Sequence, residues 1–251
     1  MKIIISPAKK MKVDTDSLPV QGSPVFLEQT ERIYESLRKM SYEELKKLWD
    51  CNDKLAELNY RRLGEMELRR NLTPAVIAYE GLQYQHMSPL VFTDKGLSYI
   101  QDHLRILSGF YGVLKPFDGV TPYRLEMQAQ LSVDGAVDLY AFWGKRLYSA
   151  VLDVDKVIIN LASKEYARTV EKYLEPQDTM ITCIFGELVN GKVKQKGTFA
   201  KMARGEMVRF LAENDIRDME RIKDFQELGC RFCPEYSDEK NWVFVQEGQG
   251  R

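Results

Sequence analysis

Asn190-Gly191 is the feature that most restricts what this chain can become. A type I′ turn needs positive φ at both central residues, and Asn-Gly meets that demand better than almost any other pair. The apolar-rich runs on either side, residues 180–189 and 192–198, are therefore read as an antiparallel hairpin. That excludes an all-helical fold. Other segments carry strand signals too. Lys2–Ile5 is β-branched and stops at Ser6-Pro7, and residues 75–79, Val157–Leu161 and 242–246 are short apolar runs.

Helical spacing alternates with these strands. Residues 24–40 can place Phe26, Ile33 and Leu37 on one face, and Ser41 with Glu44 forms a capping box before a helix through Trp49. Asn52 can cap the helix after it. Residues 93–104, 138–152 and 199–214 also read as helices, and Ser163 is placed to cap another. No regular βαβ repeat is visible and no Pro/Gly/Ser-rich linker divides the chain. The expectation is an α+β fold, with residues 1–251 forming one compact mixed domain.

The formal charge of −1 excludes a uniformly basic protein, but it conceals segregation. Lys2, Lys9, Lys10 and Lys12 are unopposed in the first twelve residues, and residues 192–209 carry six bases against Glu206 alone. Residues 213–239 answer with nine acids against four bases. A local basic cleft is therefore compatible with a neutral total. No apolar run reaches the roughly 18 residues of a membrane span or the core of an export signal, so a cytoplasmic location is the default and no membrane partner is expected.

Motifs for dinucleotide, P-loop and serine-elbow sites are missing, and no cofactor is expected. His86 and His103 stand outside any ligand motif, so no metal site is expected. Cys230-Arg231-Phe232-Cys233 has redox spacing without a thioredoxin-like context, and reads as two structural thiols. Ser6-Pro7-Ala8-Lys9 has the spacing of a Ser–Lys acyl-transfer pair, but Ser36-Leu37-Arg38-Lys39 repeats it inside a helix.

The densest segment runs from His103 to Asp118. A helix is expected to enter Ser108-Gly109-Phe110-Tyr111-Gly112, whose glycines would bring backbone amides close to an anion before Lys115-Pro116. This resembles a helix-hairpin-helix, the device by which non-sequence-specific proteins hold DNA phosphates. In Pro122-Tyr123-Arg124-Leu125-Glu126-Met127, strand alternation puts Arg124 and Glu126 on one face, opposite Tyr123 and Leu125. Lys201 and Arg204 lie one helical turn apart.

Taken with Phe142-Trp143-Gly144, Asn160-Leu161-Ala162-Ser163-Lys164-Glu165-Tyr166 and Ala200-Lys201-Met202-Ala203-Arg204-Gly205, these segments resemble, in order, the YaaA family of bacterial peroxide-stress proteins. Where that family has Gly-Asp before a tyrosine, this chain has Gly81-Leu82-Gln83-Tyr84. The resemblance implies a role in surviving hydrogen peroxide by limiting iron-dependent damage. It also implies a basic cleft that binds DNA non-specifically. Lys9, Lys10, Arg105, Lys115, Arg124, Lys201, Arg204 and Arg209 would then contact phosphates, and Ser108, Gly109 and Gly112 would form the hairpin. The other reading is an enzyme on a nucleotide or another phosphorylated small molecule, with Ser6, Lys9, Tyr123 or Glu126 moving protons.

Overall fold

The structure is a computed structural model and describes residues 1–152, 154 and 156–246. An eight-stranded sheet is built from β1 (Lys2–Ile5), β2 (Leu104–Ser108), β3 (Gly112–Leu114), β4 (Val157–Leu161), β5 (Thr179–Val189), β6 (Lys192–Lys194), β7 (Cys230–Phe232) and β8 (Asn241–Gln246). Across it the order is β7-β8-β5-β4-β1-β2-β3, with β6 paired to β5. The five central strands, β8-β5-β4-β1-β2, are parallel, while β3, β6 and β7 run antiparallel to their neighbours.

This corrects the expected class. The domain is α/β, not α+β. The helices are α1 (Leu27–Arg38), α2 (Tyr42–Trp49), α3 (Asp53–Gly64), α4 (Ala75–Ala78), α5 (Leu82–Met87), α6 (Asp94–His103), α7 (Leu139–Trp143), α8 (Arg146–Val151), α9 (Lys164–Glu171) and α10 (Gly197–Glu213). Helix α9 crosses between β4 and its parallel neighbour β5, and α10 lies between β5 and its parallel neighbour β8. Both faces of β1 are covered, so Ile3, Ile4 and Ile5 are all buried, where a half-exposed strand would alternate.

The hairpin at Asn190-Gly191 forms, with Val193 facing Leu188. Ser41 and Glu44 make the reciprocal capping box, and the Asn52 side chain caps α3. The short apolar run at residues 75–79 is a buried helical turn and not a strand. The single helix expected over 138–152 breaks at Gly144, whose φ of 51° ends α7 before α8 begins.

The helix-hairpin-helix expectation is also corrected. Helix α6 ends at His103 and the chain enters β2 at once, so Ser108–Gly112 turns between two antiparallel strands. The hairpin amides do not face outward. Phe110 and Tyr111 donate their N–H groups to the Ser108 hydroxyl at 3.2 and 2.9 Å. Gly109 is needed because the 122–127 loop lies against it; a Cβ there would come 2.8 Å from the Leu125 carbonyl oxygen.

Asp118 is buried just beyond the end of β3, and its Oδ2 accepts the Lys115 N–H at 2.8 Å. Burial raises its pKa to about 6, against the opposing amide bond and the charges of Lys115 and Arg105. The native carboxyl thus binds its proton more tightly than the unfolded one. The resulting stability is present below about pH 4 and is lost as pH rises through 6, on the order of 3 kcal/mol. Asp118→Asn keeps an acceptor for Lys115 and should flatten the stability profile between pH 4 and 7. Urea midpoints across that range test it, and parallel profiles for the two proteins would contradict it.

Candidate functional site

Strand β1 connects onward to β2 on one side, whereas β4 connects onward to β5 on the other. The sheet order therefore reverses between β1 and β4. In open α/β sheets the crevice beyond the carboxyl ends of such a pair is the usual ligand site. Here Ser6 follows β1 and Ser163 follows β4. The Ser163 N–H donates to Ser6 Oγ at 2.8 Å, and the two hydroxyls lie 3.2 Å apart. Tyr84 donates its hydroxyl to the Ser6 carbonyl at 2.9 Å. Ser163 stands at the N-cap of α9 without capping it through its side chain, because that hydroxyl is turned to Ser6.

A cavity of about 460 Å³ opens above these serines. One wall comes from α5 and α10 and presents Leu82, Gln83, Lys201 and Arg204. These helices approach closely because residue 205 is glycine, and a Cβ there would fall 2.2 Å from the Gln83 carbonyl oxygen. Gln83 in turn reaches the Leu161 carbonyl at the end of β4, at 3.4 Å. Arg204 Nε is buried with no hydrogen-bond partner, and desolvation lowers the guanidinium pKa. Neither Lys201 nor Arg204 lies within ion-pair distance of a described carboxylate.

The facing wall comes from the 122–127 loop and the first turn of α9. It is not a ladder strand, yet Tyr123, Leu125 and Met127 are buried while Arg124 and Glu126 alternate with them. Glu126 pairs with Lys9 at 3.2 Å and Arg124 at 3.4 Å, and Arg124 also donates to the Trp49 carbonyl at 3.3 Å. Glu165 accepts the Gln128 N–H at 3.2 Å. Burial raises the Glu165 pKa, and the Glu126 charge adds to the rise. Behind them the Tyr123 hydroxyl meets Tyr79 at 2.8 Å and Ser108 at 2.7 Å. Burial pushes Tyr123 up to about 12, so it stays a neutral phenol at pH 7.

Of the expected site residues, Ser6, Lys9, Lys10, Tyr123, Arg124, Glu126, Lys201 and Arg204 line this one cavity. The others lie elsewhere. Arg105 is buried in β2 and donates to the carbonyls of Gln101 and Leu104. Ser108, Gly109 and Gly112 are in the core turn, Lys115 is exposed on its far side, and Arg209 pairs with Glu213 at 2.8 Å. Glu80, Gln83, Tyr84, Ser163, Glu165 and Tyr166 also line the cavity and were not among the site residues expected from the sequence. The available signal was position: Ser163 and Glu165 follow the end of a buried strand.

His86 holds Glu206 at 2.8 Å and His103 meets the Met1 carbonyl at 2.8 Å. Among the described residues, no group of three His, Cys, Asp or Glu is placed to hold a metal ion. Cys230 and Cys233 are free and buried, and burial pushes the Cys230 thiol up to about 12. No described helix is long and apolar enough to cross a membrane.

The family described as peroxide stress protein YaaA matches residues 1–236. A UPF0246 protein of Pediococcus pentosaceus is 52% identical over 98% of both chains. UPF0246 proteins of Agathobacter rectalis and Limosilactobacillus reuteri are each 54% identical, over 98% and 97% of this chain and 99% and 98% of their own. Ser6, Arg124, Lys201 and Arg204, gathered at one crevice, all fall inside the matched span, and this chain belongs to the peroxide stress protein YaaA family.

Proposed function

We propose that this protein serves the peroxide stress response by holding DNA through its sugar–phosphate backbone at the switch-point cavity, limiting iron-dependent damage there. The observation that carries the reading is the convergence of Lys9, Lys10, Arg124, Lys201 and Arg204 on one opening, two of them lacking an acidic partner among the described residues. Lys9 and Lys10 have side chains 67% and 77% exposed, and Lys201 is also exposed, so these three meet a large ligand first. Backbone contacts of this kind fix position without reading sequence.

Duplex binding followed by fluorescence anisotropy tests the proposal. Log K should fall linearly with log salt, by about 0.9 for each phosphate neutralised. Lys201→Ala should weaken binding to unrelated duplexes alike and reduce that slope by about 1. Binding that ignores salt, or a loss confined to one sequence, would sink the proposal.

A second reading is favoured by a separate observation. The cavity sits at the strand-order reversal and contains two partly buried carboxyls, Glu126 and Glu165, which backbone binding does not use. Such a site suits a phosphorylated small molecule.

A further inference from the structure

The two cations without a described acidic partner stand on one wall of this cavity, and Glu126 and Glu165 stand on the other. Arg204 and Lys201 come from α10, beside Gln83 of α5. Glu126 and Glu165 come from the 122–127 loop and α9, and Glu126 is already matched by Lys9 and Arg124. A half-buried guanidinium with an orphan Nε and no carboxylate is costly unless an anion joins it. Ser6 and Ser163 lie where the strand ends meet, and the first turn of α9 adds its N-terminal dipole to that end of the cavity.

We propose that the cavity binds a phosphate monoester of mononucleotide size, its phosphate on Arg204 and Lys201 and an amine-bearing base against Glu126 and Glu165. The inference rests on the small-molecule reading of this cavity and shares Lys201 and Arg204 with the DNA reading, which adds the exposed Lys9 and Lys10. Two features select a monoester over a backbone diester. A monoester carries a charge of about −1.5 to −2 near neutral pH, which answers two unpaired cations; a diester carries one. The volume of about 460 Å³ also falls in the range of small-ligand pockets, roughly 300–1,000 Å³, and not of a duplex groove. Leu82, Leu125 and Tyr166 supply apolar wall for a flat ring between the two charged ends.

Calorimetric titration of the full chain with adenosine monophosphate is the test, with adenosine, inosine monophosphate, inorganic phosphate and a duplex as comparison ligands. The monophosphate should bind saturably, adenosine at least roughly 30-fold more weakly, and the inosine nucleotide roughly tenfold more weakly for want of the amine. Arg204→Met should lose binding by at least roughly 30-fold while melting no lower than wild type without ligand, since it removes a half-buried charge that has no acidic partner among the described residues. Glu165→Gln should reduce the preference for the adenine nucleotide over the inosine one. Failure of the monophosphate to bind, equal binding by Arg204→Met, or inorganic phosphate binding as tightly as the nucleotide would each overturn the inference. Nucleotide binding absent while the duplex still binds overturns this inference alone. The duplex failing while the nucleotide binds overturns the DNA reading alone.

Discussion

Gly205→Ala is expected to destabilise the protein by about 3 kcal/mol or more, although it adds a single methyl to a helix. In isolation the change favours helix by about 1 kcal/mol. The surroundings reverse the sign. The new Cβ would lie 2.2 Å from the Gln83 carbonyl oxygen, 2.9 Å from His86 Cβ and 3.0 Å from the Met87 nitrogen. Two of those atoms are backbone, so no rotamer change relieves the overlap, and α10 must move off α5 along its contact. For a chain of this size the melting temperature should fall by roughly 6–12 °C. Gly64→Ala in α3 is the matched control. No atom lies within 4 Å of its added Cβ, so it should be neutral or slightly stabilising. Thermal melts of both proteins decide the matter; a Gly205→Ala melt within about 2 °C of wild type would mean that α10 shifts freely.

Trp143→Ala is the second large effect, at about 3–5 kcal/mol. The indole is fully buried, with ring centroids 5.6 Å from Phe26 and 5.1 Å from Phe142. Its Nε1 donates to the Gly109 carbonyl at 3.0 Å. It also fills the space beside Gly112 so closely that a Cβ there would come 2.8 Å from the ring. Removing the indole opens a cavity and leaves the Gly109 carbonyl without this donor inside the core. Trp143→Phe keeps most of the volume and loses the bond, so it should cost about 1–3 kcal/mol. Chemical denaturation separates the two: equal midpoints for Trp143→Phe and wild type would remove the bond from the account.

These two residues show which parts of the fold were legible. Local chemistry was readable. Ser41 with Glu44, Asn52, and Asn190 with Gly191 each satisfy backbone groups within a few residues, so their effects are written in adjacent positions. Long-range pairing was not. Ile3 pairs with Leu104 on one side and Ile159 on the other, and a buried run such as Ile3-Ile4-Ile5 carries no alternation to show parallel neighbours. The class expectation failed for that reason. The expectation at Ser108–Gly112 failed because glycines that admit a ligand and glycines that admit another part of the same chain look alike in sequence. At Gly109 the visitor is the 122–127 loop.

The site was half legible. Arg124 and Glu126 were found by alternation, which persists in an extended loop outside the sheet. Lys201 and Arg204 were found by helical spacing. Ser163 and Glu165 acquire their position only when β4 is laid beside β1, and Arg105, equally basic, is drawn into the core by its place on β2.

The central place of Lys2–Ile5 also sets an order of events during synthesis. This strand leaves the ribosome before both of its neighbours, Leu104–Ser108 and Val157–Leu161. At bacterial-scale elongation of about 5–20 residues per second, the second neighbour follows roughly 10–30 s later. Until then an apolar, β-branched segment has unpaired edges on both sides, so the nascent chain carries its most association-prone segment for the longest time.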